Sequence, residues 1–537
     1  MSSQRGGVLK NGYAIRWSVI GVISAILALS AWAVSSPIGS SPDDDFHNPS
    51  IWCGQGTRDD FCEPGSGPNT SLVPQTLTNN SICFAFNNAA SGVCTESKAL
   101  AQAYRVNLHD GGYPPLYYWT MSFLASDDLS ASILGIRIAN SILAVLLIAI
   151  LAWRLPRHLR QIPILSLIAT AVPLGMFTIA SVNPSSWAIM AIAVFFPSVI
   201  GLVRAKSWKQ ALPFAALAGV SFLMGSGSRA DSGSFLLLAG ALAVLIALPK
   251  EVINAVKPLP RVLIAAAALG TFVFLLTTSN TVSQWISTSL SLGPGALLAS
   301  GLQNIRNLPD LFVGAFGYWA LGWLDTPLPS SVWGVTFGIF CALLFVSIKY
   351  FSTRQTIAAA AAFGALITVP LVTLAVQGYV VGQWVQPRYL VPLLTLLLAV
   401  SLYRGYSSKG VGLSSGQIFF VGLGLVAANA ISLHTNLRRY LTGLDVNEIS
   451  LDVGIEWWWV TKPATDTIFW FSPSNVWLVG VLAFALVFLS LWKLRFDLGI
   501  SDPKQVEEAT PRIEENRQES SADLSYQASG DKPSQAK

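Results

Sequence analysis

The chain has 537 residues, of which 52% are hydrophobic and only 11% are charged, and its formal net charge is +5. An average soluble domain carries about 25% charged residues. Here 13 charged residues lie within positions 501–537, so the rest is poorer still in charge. This excludes an ordinary soluble enzyme and a disordered chain. Scattered Lys and Arg without a basic stripe also exclude a nucleic-acid partner.

The composition predicts an all-α polytopic integral membrane protein, because helices satisfy their own backbone groups within a lipid bilayer. We predict about twelve transmembrane helices from apolar runs of near-spanning length. In chain order they cover about 17–35, 132–152, 163–182, 186–203, 210–227, 235–249, 262–278, 331–348, 356–376, 389–403, 414–433 and 475–492.

The distribution of positive charge gives this topology an orientation. With the N-terminus inside, eighteen Lys and Arg lie in inside loops and ten lie outside, which agrees with the positive-inside rule. Both termini are then cytoplasmic, and the chain is a multi-pass protein of the plasma membrane. Ala31-Trp32-Ala33 resembles a signal-peptide cleavage site, but the length of the first run favours an uncleaved anchor.

The predicted domain organisation is a transmembrane domain over residues 1–500 followed by a tail. Exoplasmic loops cover 36–131, 279–330 and 434–474, and we expect interfacial helices in the first of them. The tail at 501–537 holds eight acidic and five basic residues. Its composition predicts a disordered cytoplasmic segment.

Four of the five cysteines lie in the first loop, at Cys53, Cys62, Cys83 and Cys94. Four cysteines in one external loop predict two disulfides. Three pairings are possible, and short loops favour Cys53–Cys62 with Cys83–Cys94. No Cys-x-x-Cys spacing supports the alternative of a metal site. Cys341 falls within a predicted span and is interpreted as core.

The acidic sequence Pro42-Asp43-Asp44-Asp45-Phe46-His47 follows the first span directly. Adjacent carboxylates repel one another, which raises a pKa or attracts a cation. Asp43, Asp44 and His47 are therefore candidate catalytic residues, and Asp43 and Asp44 are the metal ligands if a metal is present. The alternative is a solvated loop tip, which is less typical of a chain so poor in acids.

Further candidates lie in the other predicted outside segments. Arginine forks bind phosphate in a bidentate manner, so an anionic ligand is one interpretation of Arg388, Arg438 and Arg439. Lipid headgroups or ion pairs with Asp325 or Asp445 are the other. Arg137, one turn inside the second span, is either functional or directed to the interface. The candidate binding residues are Tyr113, Tyr117, Arg229, Asp325, Arg388, Arg438 and Arg439.

The order of these motifs resembles the GT-C glycosyltransferases, and within them most closely the DUF2142 family of bacterial membrane proteins. That family's first loop typically reads Pro-Asp-Glu-x-x-His, which Pro42, Asp43 and His47 match, with Asp44 in place of Glu. Residues 113–118, Asn183-Pro184, Arg229 with Asp231, 322–327, 386–389 and 438–440 also resemble the pattern. Pro387 replaces the usual Gly, and the cysteine-bearing insert between Ile51 and Glu96 is a departure.

The resemblance implies a GT-C-like fold and a transferase that uses a polyprenyl-phosphate sugar on the exoplasmic face. Asp43 or Asp44 would be the base for a hydroxyl of a glycan or lipid-linked acceptor in the cell envelope. The arginines would hold the leaving phosphate, and the sugar would be transferred with inversion. Some relatives use a divalent cation, Mg²⁺ or Mn²⁺, at the acidic motif. A transporter or flippase and a non-catalytic envelope-assembly protein remain the alternatives.

Overall fold

The structure is a computed structural model that describes residues 2–67, 70–95, 102–106, 113–249, 281–383, 385–405, 410–446, 448–452, 457–459 and 472–501. Helices account for 69% of the structure and strands for a small part of it, in agreement with an all-α membrane protein. The predicted span 262–278 and the tail beyond Ser501 lie outside the described residues.

The described helices are labelled in chain order. They are α1 (Ser2–Val34), α2 (Asp44–Trp52), α3 (Gln75–Asn79), α4 (Leu116–Met121), α5 (Leu129–Arg154), α6 (Gln161–Ala171), α7 (Leu174–Ile179), α8 (Ser185–Val203), α9 (Trp208–Ser226), α10 (Ala230–Ala247), α11 (Thr281–Gly314), α12 (Ser330–Ile348), α13 (Thr353–Gln377), α14 (Val391–Leu402), α15 (Ser415–Leu441) and α16 (Pro473–Lys493).

Eight helices in the described part of the chain are long and apolar enough to cross a membrane. Each coincides with one of the predicted runs. They are Gly12–Val34, Leu129–Arg154, Ser185–Val203, Ala230–Ala247, Ser330–Ile348, Thr353–Ala375, Ser415–Leu441 and Pro473–Lys493.

Three other predicted runs form helices that do not reach this standard. The run 163–182 divides into α6 and α7, because Pro173 lies between them and proline has no N–H for a continuous helix. The run 389–403 is a shorter apolar helix, Pro387–Leu402. The run 210–227 corresponds to α9, whose first turn, Trp208-Lys209-Gln210, is polar.

The first predicted loop contains short helices and a small sheet. Strands β1 (Glu63–Pro64), β2 (Thr70–Pro74) and β3 (Gln102–Val106) form an antiparallel sheet in the order β1-β2-β3. Disulfides join Cys53 to Cys62 and Cys83 to Cys94, which confirms the pairing that short loops favour. The range 279–330, predicted as a loop, contains the long helix α11.

Contacts between the helix ends divide the bundle into two ends. At one, Asn183 before α8 bonds to Pro42, and Arg388 pairs with Asp43. At the other, Arg157 after α5 pairs with Asp497, and Arg354 bonds to the carbonyl of Leu248. We call these the site end and the opposite end.

Candidate functional site

The acidic motif forms the start of α2 at the site end. Asp43 is the N-cap residue and has a left-handed backbone, with φ of 64°, a conformation that Asp tolerates better than most residues. Its carbonyl accepts hydrogen bonds from the amides of Phe46 and His47 at 2.9 and 2.8 Å. Asp44 and Asp45 fill the first turn, where the helix dipole favours negative charge. This backbone directs three consecutive carboxylates into three different environments.

Asp43 pairs with Arg388, 345 positions away in the sequence. Arg388 Nη2 lies 2.5 Å from Asp43 Oδ2, and the arginine side chain is 4% exposed while that of Asp43 is 39% exposed. The guanidinium also bonds to Gln386 Oε1 and, at 3.0 Å, to the hydroxyl of Tyr389. A buried cation is therefore held beside a carboxylate that solvent can reach.

Asp44 lies in the interior of the protein. Its Oδ2 accepts a bond from the Ser41 amide at 3.0 Å, and its Oδ1 has no partner among the described residues. Burial raises the pKa of this carboxyl from 3.8 to about 7, although Arg137 opposes the shift. Asp44 is thus a proton-binding group near neutral pH, but it is closed to a large substrate.

His47 packs in an aromatic cluster with Tyr113 and Tyr118. Its Nδ1 lies 2.9 Å from the Tyr118 hydroxyl, and its ring meets that of Tyr113 edge to face at 5.2 Å. Burial raises the pKa of Tyr113 to about 12, so this hydroxyl stays protonated at neutral pH. Tyr117 lies deeper, where its hydroxyl donates to the carbonyl of Val182 at 2.6 Å.

Arg229 is held at the start of α10 by the carboxylate of Asp231. Nε and Nη2 bond to the two carboxylate oxygens at 2.9 and 2.8 Å, and Nη1 bonds to Ser185 Oγ at 3.1 Å. The guanidinium also lies over the Tyr389 ring at 4.1 Å. Burial alone would lower the pKa of Arg229, but Asp231 outweighs it and raises that pKa. Tyr389 thus lies between Arg229 and the Asp43–Arg388 pair. The positive charge of Arg229 is compensated by the carboxylate of Asp231.

A small pocket with a cavity volume of about 20 Å³, partly open to solvent, lies beside this pair. Its polar lining comprises Ser41, Thr178, Asn183, Gln386 and Arg388. Its apolar wall includes Leu174, Phe177 and Trp319. The pocket thus combines apolar surface with hydrogen-bonding groups and a cation, as small-molecule sites commonly do.

Arg438 and Arg439 are at the site end but bond elsewhere. Arg438 donates to the carbonyls of Glu448 and Ser450. Arg439 is fully buried, pairs with Asp325 at 2.8 Å and donates to the carbonyl of Phe84 at 2.8 Å. Neither touches Asp43 or Arg388 within the described part of the chain.

The Asp325–Arg439 pair lies next to Gly322 in the wall of the pocket. Gly322, which lines the pocket, has φ of +59°, and a Cβ there would lie 2.5 Å from the Tyr440 hydroxyl and 3.0 Å from Asp325 Oδ1. The sequence indicated Asp325 and Arg439 as ligand-binding groups, and the structure gives both of them partners within the protein.

Arg137 has a role that the sequence left open. Its guanidinium donates to the carbonyls of Ala33, Ser36 and Pro37 at 3.0, 2.7 and 2.8 Å. These carbonyls lie where α1 ends, and helix ends leave such groups unsatisfied. Arg137 therefore fixes the segment that leads into the acidic motif. The sequence signal was a lone arginine in an apolar run, which does not identify its partners.

The acidic motif does not provide a convergent set of metal ligands. No group of three His, Cys, Asp or Glu side chains comes together among the described residues. Asp43 faces Arg388, whereas Asp44 is buried and bonds to Ser41. A Mg²⁺ or Mn²⁺ ion bridged by both carboxylates would need them on one side, so these two side chains do not fit a bridged ion.

Comparison with known proteins gives one match. A family model described as a predicted membrane protein (DUF2142) covers residues 26–397, a range that includes the acidic motif, the pocket and Arg388. No curated protein and no solved structure matches the chain.

Proposed function

The chain belongs to the DUF2142 family, and from this membership and the geometry of the site we propose that it is a membrane glycosyltransferase. The donor would be a polyprenyl-phosphate sugar and the acceptor a glycan or lipid-linked molecule of the cell envelope. The observation that carries the proposal is the Asp43–Arg388 pair beside the pocket. It joins a candidate base to a candidate phosphate-binding cation, in motifs that resemble those of GT-C enzymes.

The proposal includes the predicted topology of twelve spans with both termini in the cytoplasm. The candidate residues Asp43, Tyr113, Arg229 and Arg388 gather at the site end, which would face the exoplasm. The opposite end carries the cations Arg154, Arg157, Arg160, Arg204, Lys349, Arg354, Arg404, Lys493 and Arg495. This asymmetry is typical of a cytoplasmic surface.

Asp43 is the better candidate for the general base. Its side chain is accessible, and it lies 2.5 Å from the cation that would hold the leaving phosphate. Asp44 has no access to an acceptor and is half protonated near neutral pH. We therefore assign Asp44 a structural or proton-buffering role, and His47 a role in packing the aromatic cluster.

The reaction would be a single displacement. Asp43 takes the proton of the acceptor hydroxyl, the hydroxyl oxygen bonds to the anomeric carbon, and the bond from that carbon to the phosphate oxygen breaks. The polyprenyl phosphate leaves with the bonding electrons, which inverts the anomeric centre. Arg388 stabilises the charge that grows on the phosphate. The protonated hydroxyl of Tyr113 is a second donor beside Arg229.

A complementation experiment tests this proposal. The gene is deleted and restored as wild type, Asp43→Asn, Arg388→Ala or Asp45→Asn, and envelope glycans are compared by linkage analysis. Asp45→Asn is the matched control, because it removes an equal charge from the same motif at an exposed position. Membrane levels of each variant are measured in parallel.

We expect deletion to remove one sugar linkage, which Asp45→Asn restores and which Asp43→Asn and Arg388→Ala do not. General-base catalysis contributes about 10²–10⁴-fold, so the loss should be almost complete at equal protein level. Full restoration by Asp43→Asn would refute the catalytic role. Restoration of the linkage by both Asp43→Asn and Arg388→Ala would favour a transporter or an assembly factor.

A further inference from the structure

A second and larger cavity lies between the transmembrane helices, away from the Asp43–Arg388 pair. Its cavity volume is about 350 Å³, and it lies, partly open to the surroundings, between α1, α5, α6, α7 and α16. That is within the ~300–1,000 Å³ of a typical small-molecule site. Trp153 on its wall is 70% exposed, so the cavity is a groove with access to the bilayer.

The lining of the groove is almost entirely hydrocarbon. Alanines and aliphatic residues from facing helices, such as Ala25, Ala149 and Val487, form most of its wall. Arg160 is the one charged residue in its described lining. Within a membrane such a surface is solvated by lipid chains, and a single cation at one end gives it polarity.

Arg160 lies where the groove reaches the end of the bundle that also contains Arg157 and Arg354, named above as the opposite end. Trp17 and Trp153 line the groove at this end, and a basic side chain lies over each ring. Arg154 lies over the Trp153 ring at 4.6 Å, and Lys493 lies over the Trp17 ring at 5.9 Å. Tryptophan and basic side chains at such positions are typical of the headgroup region.

Among the described residues, no carboxylate bonds directly to Arg160. Arg160 donates from Nε to the carbonyl of Leu155 and from Nη1 to the carbonyl of Asp497, at 3.0 and 3.2 Å. Both acceptors are neutral. The Asp497 carboxylate instead pairs with Arg157 at 3.3 Å. Burial lowers the pKa of Arg160, although the nearby Asp497 carboxylate opposes this shift.

We propose that this groove binds an anionic phospholipid of the adjoining leaflet, with an acyl chain between α1, α5 and α16 and its phosphate at Arg160. Basic pockets between transmembrane helices commonly recognise anionic headgroups. This site is separate from the proposed transferase site. The short helix α7 divides the two: Phe177 and Thr178 line the pocket, whereas Met176 and Ile179 line the groove.

The test uses the full-length protein in nanodiscs with equal amounts of phosphatidylglycerol and phosphatidylcholine. Lipids retained on the released protein are counted by native mass spectrometry. Arg160→Gln removes the cation, Arg160→Lys keeps it, and Ala149→Phe fills the groove. Lys349→Gln, at the same end, and Ala361→Phe, on an exposed face of α13, are matched controls outside the groove.

We expect wild type to retain phosphatidylglycerol in preference to phosphatidylcholine. Arg160→Gln should reduce that preference about fivefold, the equivalent of about 1 kcal/mol for one cation at a membrane surface. Arg160→Lys should retain the preference, which separates charge from a structural role of the arginine. Ala149→Phe should reduce retention of both lipids, while the two controls behave as wild type.

Equal retention of the two phospholipids by wild type would overturn the proposal. Equal behaviour of Arg160→Gln and Lys349→Gln would do the same. None of these results bears on Asp43, so this proposal and the transferase proposal fail independently.

Discussion

Removal of one partner from the Asp325–Arg439 pair should be as harmful as removal of both. Arg439 is fully buried, with Nη2 2.8 Å from Asp325 Oδ2. Replacing Asp325 by Leu leaves that guanidinium buried without a counter-charge. Removing one member of a buried pair costs about 3–5 kcal/mol in the free energy of unfolding. We expect this cost for Asp325→Leu and a similar one for Arg439→Met.

The double variant removes both charges but leaves other groups unpaired. The Phe84 and Ala90 carbonyls lose Arg439, and the Phe86 amide loses Asp325. At about 1 kcal/mol or more for each buried unpaired group, the double variant should lose about 3–5 kcal/mol. That is close to either single loss and well below the sum of about 6–10 kcal/mol for independent sites.

The free energy of unfolding of the four proteins can be measured by steric trapping in bicelles. Arg438→Met supplies the matched control, because Arg438 bonds to backbone carbonyls and not to Asp325. Its loss should add to that of Asp325→Leu. Additive losses for Asp325→Leu with Arg439→Met would refute the claim that this pair is coupled.

Three further predictions concern neighbouring groups. Gly322→Ala should lower the thermal midpoint in detergent and weaken function, since its Cβ would lie 2.5 Å from the Tyr440 hydroxyl; an unchanged midpoint would contradict this. The pKa of Asp44 is raised from 3.8 to about 7, so the folded chain keeps a proton that the unfolded chain releases. Stability should therefore fall as pH rises across that window, and Asp44→Asn should remove this slope in thermal midpoints. Cys83→Ser with Cys94→Ser should cost about 2–3 kcal/mol of unfolding free energy, measured by the same steric trapping; no loss would show that the 83–94 loop needs no crosslink.

The sequence was sufficient to predict the class of protein and the position of most helices. Apolar runs such as 132–152 and 331–348 are read directly from composition, because the bilayer imposes one length and one kind of surface. The sequence left three disulfide pairings open, and the structure has the one that short loops favoured. The break at Pro173 was visible as a residue but not as a helix boundary, because prolines within apolar runs are often tolerated, as at Pro197 in α8.

The roles of adjacent side chains were not predictable from the pattern. Arg438 and Arg439 are neighbours in sequence, but successive helical residues point about 100° apart, so one faces the 448–450 segment and the other faces Asp325. The environments of the Asp43 and Asp44 side chains differ for a similar reason. Asp43 is the N-cap residue with a left-handed backbone, whereas Asp44 is the first residue of α2. The pairing of Asp43 with Arg388 depends on how distant helices meet, and the sequence only placed both residues on one side of the membrane.

The carbonyl contacts of Arg137 have a consequence for how the chain enters the membrane. A guanidinium inside a spanning helix is unfavourable by about 2.5–3.5 kcal/mol when that helix inserts by itself. Its acceptors belong to the end of α1 and the residues just after it. The contacts of Arg137 with the end of α1 offset part of this cost. We therefore expect α5 to insert more favourably beside α1 than by itself.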